Sequence, residues 1–91
     1  MKNMKLTNTL EIRFSTRKGH IGDAITVIKV VEPSKGDRAK RIVAKAEVYK
    51  RVDMLEQYEN AFRTLKEKCK GEVAPSAFDF VWGVIISGGM K

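Results

Sequence analysis

Cysteine, histidine and tryptophan occur once each in this chain of 91 residues, and proline twice. A lone Cys69 cannot close an internal disulfide, so a disulfide-stapled secreted scaffold is excluded and a reducing compartment is favoured. One His and one Cys cannot build a zinc centre from His and Cys ligands alone. An enzyme needs a nucleophile, an acid or base, or a metal site held in mutual reach. His20 lies between glycines in Gly19-His20-Ile21-Gly22 and reads as a solvent-exposed loop residue. Cys69 falls on an apolar helix stripe and reads as a small buried side chain. Neither that glycine loop nor Lys35-Gly36-Asp37 has the spacing, or the following Lys-Ser/Thr, of a phosphate loop. The expectation is a non-catalytic chain with no cofactor and no metal.

Long apolar runs are missing as well, and none approaches the length that crosses a bilayer. Met1-Lys2-Asn3-Met4-Lys5 is followed by Thr and Asn rather than an apolar core, so no signal peptide is expected and the protein reads as cytoplasmic.

Positive charge is abundant. The net charge is +7, and it is placed unevenly. Residues 1–51 hold 13 Lys/Arg against 5 Asp/Glu, whereas residues 52–91 hold 5 against 6. A one-sided excess of this kind is the electrostatic footprint of a nucleic-acid binder, although surplus lysine also keeps a small domain soluble. With 43% hydrophobic and 32% charged residues the composition is globular, and the length fits one domain spanning 1–91. So small a domain is marginally stable alone, and a homodimer would help it.

Residues 6–16 alternate, with Leu6, Leu10, Ile12 and Phe14 on one face and Thr7, Thr9, Glu11, Arg13 and Ser15 on the other, as in a half-buried strand. Residues 24–32 are rich in stiff β-branched side chains and predict a central strand, ended by the turn chemistry from Glu32-Pro33 to Asp37. Residues 40–50 alternate again, with Ile42, Ala44, Ala46 and Val48 together and Val43, Lys45, Glu47 and Tyr49 opposite. Residues 53–70 predict a helix. Asp53 and Glu56 suit a capping box, Leu55, Tyr58, Phe62, Leu65 and Cys69 form an apolar stripe, and Gly71 stops it. Residues 77–87 predict a last strand with Phe78, Phe80 and Trp82 on one face. The fold expected is α+β, a small antiparallel sheet in the order β-β-β-α-β with one amphipathic helix on one face. The basic sheet half covers 1–51, the helix 53–70 and the apolar C-terminal segment 77–87.

The first half also fits a ribbon-helix-helix dimer. A strand from Leu10 to Thr16 would enter the DNA major groove, Ile21, Ala24, Ile25, Ile28 and Val31 would line one helix, and Gly36-Asp37-Arg38-Ala39 would open a second. Over roughly residues 10–50 the chain resembles ribbon-helix-helix repressors and plasmid-partition adaptors of that fold. The resemblance implies a dimeric DNA-binding repressor or partition adaptor, in which Glu11, Arg13 and Ser15 would face the groove.

Binding chemistry concentrates in two basic clusters, Arg17, Lys18 and His20 in one and Lys35, Arg38, Lys40 and Arg41 in the other, with Arg13, Lys29 and Lys45 between them. Together they predict a basic track for DNA or RNA, with affinity from phosphates. Arg13, Arg17, Lys18, Lys35, Arg38, Lys40, Arg41 and Lys45 are the candidate nucleic-acid contacts, and Tyr49 could stack on a base. Val27, Val31 and Val43 would interleave apolar groups on the same face. Phe78, Phe80 and Trp82 are candidates for a protein partner, since they are too apolar for water unless they finish the core. The alternative function is therefore a small inhibitor or adaptor that docks on a larger protein.

Overall fold

The computed structural model describes residues 3–19, 24–35, 39–49 and 53–87. Four strands come first: β1 (Asn3–Lys5), β2 (Glu11–Lys18), β3 (Ala24–Pro33) and β4 (Ala39–Tyr49). Two helices follow, α1 (Met54–Lys68) and α2 (Pro75–Ile86). The strands form one antiparallel meander in the order β1-β2-β3-β4. The chain is thus a small α+β fold, with helices on one face of a four-stranded sheet.

Alternation in β2 and β3 decides which face is covered. Ile12 pairs with Val30 and Phe14 with Ile28, and these side chains join Leu10, Ala44 and Val48 in the buried core. Against them pack Ala61, Phe62, Leu65 and Cys69 of the α1 segment, and Phe78 and Val81 of α2. Phe62 of α1 packs on α2, with ring centroids 6.3 Å from Phe78 and 5.7 Å from Trp82, both inclined as aromatic pairs prefer.

The expected β-β-β-α-β order is corrected in two places. A short edge strand, β1, precedes the first predicted strand, and it is held by backbone bonds from Leu6 and Thr7 to the Leu10 carbonyl. Residues 77–87 are helical rather than extended. Pro75 occupies the first turn of α2, where its missing N–H costs nothing and its fixed φ suits the helix. The burial of Phe78 and Val81, with Trp82 and Ile85 packed beside them, follows helical spacing. A helix also satisfies its own backbone bonds, whereas a strand needs a free sheet edge. The ribbon-helix-helix alternative fails for the same kind of reason, since residues 24–33 and 39–49 are paired strands in which β-branched side chains pack without helix strain.

Local details differ too. Asp53 makes no side-chain cap hydrogen bond, so the capping box is absent. Instead Gln57 ties the start of α1 to the sheet: its Nε2 donates to Asp53 Oδ1 at 3.0 Å, and its Oε1 accepts from the Tyr49 backbone N–H at 2.8 Å. Leu55 leaves the predicted stripe and is 60% exposed, while Ala61 takes a buried place. A register shift at Val30/Val31 sets Ile42 opposite Val31, away from Ala44, Ala46 and Val48, so the predicted common face of β4 is broken by a bulge. At the end of α1, Gly71 adopts a left-handed φ of 92°, and the Glu72 and Val73 N–H groups return to the Cys69 carbonyl.

Candidate nucleic-acid interface

The face of the sheet away from the helices carries the chemistry. Strand alternation places Lys5, Glu11, Arg13, Ser15 and Arg17 there from β1 and β2, Ile25, Val27, Lys29 and Val31 from β3, and Lys45, Glu47 and Tyr49 from β4. At its centre Arg13 is directly opposite Lys29, and Lys29 is directly opposite Lys45. Three cations therefore form a row across three neighbouring strands. Like charges in directly opposed positions destabilise a sheet; at Arg13 the neighbouring Glu11 offsets part of that repulsion.

Two ion pairs organise the rest of the face. Arg13 bonds Glu11 on its own strand, with N···O at 2.7 Å. Arg17 reaches from β2 to Glu47 on β4, crossing over β3 between Ile25 and Val27. That hydrogen bond, reinforced by the opposite charge, raises Arg17 and holds the Glu47 carboxyl below its ordinary range. The Arg17–Glu47 pair thus crosses the central strand, and Ile25, Val27 and Val31 are buried on a face that neither described helix covers. Lys29 and Lys45 make no ion pair with a described carboxylate. Exposed apolar groups mark the two ends of the face along β4, Tyr49 at one and Ile42 at the other.

The eight predicted contacts divide. Arg13, Arg17 and Lys45 meet on this face, joined by Lys29 and Lys5. Lys29 was legible from alternation in the central strand; Lys5 depended on the unforeseen β1. Lys18 is exposed at the far end of β2, and its register with Ala24 turns it to the other side of the sheet. Lys35 is exposed in the β3–β4 turn, and Arg38 lies outside the described residues, as does His20. Lys40 pairs with Glu32 at 3.3 Å. Arg41 bonds Glu32 at 3.4 Å and Glu72 at 3.1 Å, which pins the end of the α1 segment to β4 and raises the Arg41 guanidinium, chiefly through Glu72. The second cluster is accordingly part structural clamp rather than an extension of the row. Of the interleaved valines, Val27 and Val31 lie under the face, whereas Val43, displaced by the bulge, packs against the core.

The aromatic candidates divide as well. Phe78 is fully buried, Trp82 is half-buried against Phe62 and Tyr58, and Phe80 stands 68% exposed on the outside of α2. A cleft between the helices, lined by Phe62, Phe78 and Trp82 and bridged by Lys66–Asp79 at 2.6 Å, has a volume of about 210 Å³, below the usual range for small-molecule sites. Among the described residues no helix is long and apolar enough to cross a membrane. No protein-family model, curated protein or solved structure matches the chain.

Proposed function

We propose that this chain is a non-catalytic nucleic-acid-binding module that uses the uncovered face of its sheet. The row Arg13, Lys29 and Lys45 carries the reading. Phosphates laid across the strands would meet these cations in turn, release counterions and relieve the mutual repulsion of the row. The major groove admits a helix or a two-stranded ribbon. This row spans three strands of a four-stranded sheet, a surface too broad to enter the groove. Single-stranded segments suit it better, because they can follow the face and stack a base on Tyr49. Arg17 joins the track at the end where Tyr49 lies.

Fluorescence anisotropy with labelled single-stranded and duplex oligonucleotides tests the reading. Binding should be tighter to the single strand and should weaken linearly with the logarithm of salt concentration. Replacing Lys29 and Lys45 together by Ala should lower affinity for every sequence and reduce the salt slope by about 1–2. Absence of binding to any of these oligonucleotides at low salt overturns it.

A further inference from the structure

Two carboxylates, Glu11 and Glu47, stand among the cations of the uncovered sheet face. A surface that binds phosphates loses affinity with each negative charge it keeps. Glu11 has a local account. Arg13 folds onto one of its oxygens from the same strand, through Nε at 2.8 Å and a second guanidinium nitrogen at 2.7 Å. Glu47 is held differently. Its partner Arg17 comes from two strands away and takes Oε2. The other oxygen, Oε1, accepts from the Tyr49 hydroxyl at 3.4 Å, a long and therefore weak contact between oxygens. Both members of the ion pair are open to solvent, where such a pair adds little to stability.

The position of Glu47 is specific. Lys45, Glu47 and Tyr49 follow one another on one face of β4, each about 6.5–7 Å from the next. Glu47 thus lies between the cation row and the exposed ring of Tyr49. A nucleotide with its phosphate at Lys45 and its base on Tyr49 brings the edge of that base to Glu47.

Hydrogen-bond chemistry then selects the base. An ionised carboxylate only accepts, through two oxygens side by side. The hydrogen bond from Arg17 favours that ionised form, holding the Glu47 carboxyl below its ordinary range. Guanine offers two neighbouring donors on its Watson–Crick edge, the ring N–H and the exocyclic amino group. In adenine, cytosine, thymine and uracil each donor on that edge has an acceptor beside it, which a carboxylate repels. Single strands leave the edge open to be read. We infer that Glu47 determines base specificity by accepting the Watson–Crick edge of a guanine stacked on Tyr49, so that the face prefers guanine-containing single strands. Arg17 is then a positioning residue, which fixes the carboxylate from behind. This preference rests on the nucleic-acid reading above and adds the base to it.

Fluorescence anisotropy of the full chain tests it, with a labelled all-thymine oligonucleotide and the same strand carrying one central guanine, inosine or adenine. The guanine strand should bind about tenfold more tightly than the adenine strand, within the range of a good bidentate base contact. Inosine keeps the ring N–H and lacks the amino group, so its strand should fall between the two. Glu47→Gln should erase the guanine preference and strengthen binding to the all-thymine strand, because a negative charge leaves the face. A variant that weakens every strand alike and keeps their ratio shows that Glu47 only holds Arg17, and overturns the assignment. Equal affinity of the wild type for the guanine and adenine strands also overturns it, while leaving the nucleic-acid reading in place. No binding to any strand at low salt overturns both.

Discussion

Lys29 on β3 and Lys45 on β4 are direct cross-strand partners, and Arg13 faces Lys29 from the other side. Ligand binding and stability should therefore respond oppositely at this position. Lys29→Glu places a carboxylate between two cations and should raise stability by about 0.5 kcal/mol, the scale of a favourable cross-strand pair replacing a repulsive one. The same change should weaken oligonucleotide binding at least as much as the Lys29/Lys45 double alanine variant does. Urea titration and anisotropy on one variant check both, and a variant that loses stability and keeps binding contradicts the assignment.

Phe78 and Phe80 sit two residues apart on α2 with opposite fates. Phe78→Ala should cost about 3–5 kcal/mol, which removes most of the stability of a small domain. Phe80→Ala should change stability by less than about 0.5 kcal/mol. Chemical denaturation of the two variants side by side distinguishes them.

The Arg17–Glu47 pair predicts an acid limb. The folded pKa of Glu47 is depressed, chiefly by the hydrogen bond from Arg17. Its stabilising effect is present above the unfolded carboxylate pKa and is lost as pH falls through the lower, folded one. Glu47→Gln should flatten the decline of the melting temperature in that acidic window. Because both groups are open to solvent, salt should shrink the difference between variant and wild type.

Cys69 has no solvent exposure, and burial, with a smaller effect from the Glu72 charge, pushes its thiol pKa up. The thiolate is the reactive form, so labelling by a thiol reagent should be slow in the native state and should speed up in proportion to unfolding by urea. For a thiol with a raised folded pKa, stability is fully present below the unfolded value and falls as pH rises through and above it. Cys69→Ala should remove that alkaline decline. Rapid labelling of the native protein would contradict the burial.

Much of the fold was legible because alternation is a local signal. Ile12 and Phe14 against Arg13 and Ser15 define both faces of β2 without knowledge of its partners, and the β-branched run from Ile25 to Val31 marks a central strand. The α1 stripe was legible at Phe62, Leu65 and Cys69, where periodicity is sustained, and not at Leu55, which is exposed while its neighbour Met54 packs against the core. Residues 77–87 were ambiguous in principle. A continuous apolar run has no polar phase to reveal its period, so Phe78 with Phe80 fits a strand as well as Phe78 with Val81 fits a helix. Pro75 was the local clue.

Register was not legible. Nothing local to Lys29 or Lys45 states that they meet, and Arg41, grouped by sequence with Lys40 and Lys35, is claimed by Glu72 from the helical layer. The bulge that turns Ile42 outward depends on how β3 and β4 align, which is a property of two strands together.

By itself, the sequence determined the charge asymmetry, the alternating strands, the long helix and the scarcity of catalytic side chains, since composition and short-range periodicity are carried by each segment alone. Tertiary structure decided which cations stand side by side and which are spent as clamps, and that the C-terminal segment is a second helix with an uncovered side. Those outcomes rest on strand pairing and layer packing, where residues distant in the chain compete for the same neighbours.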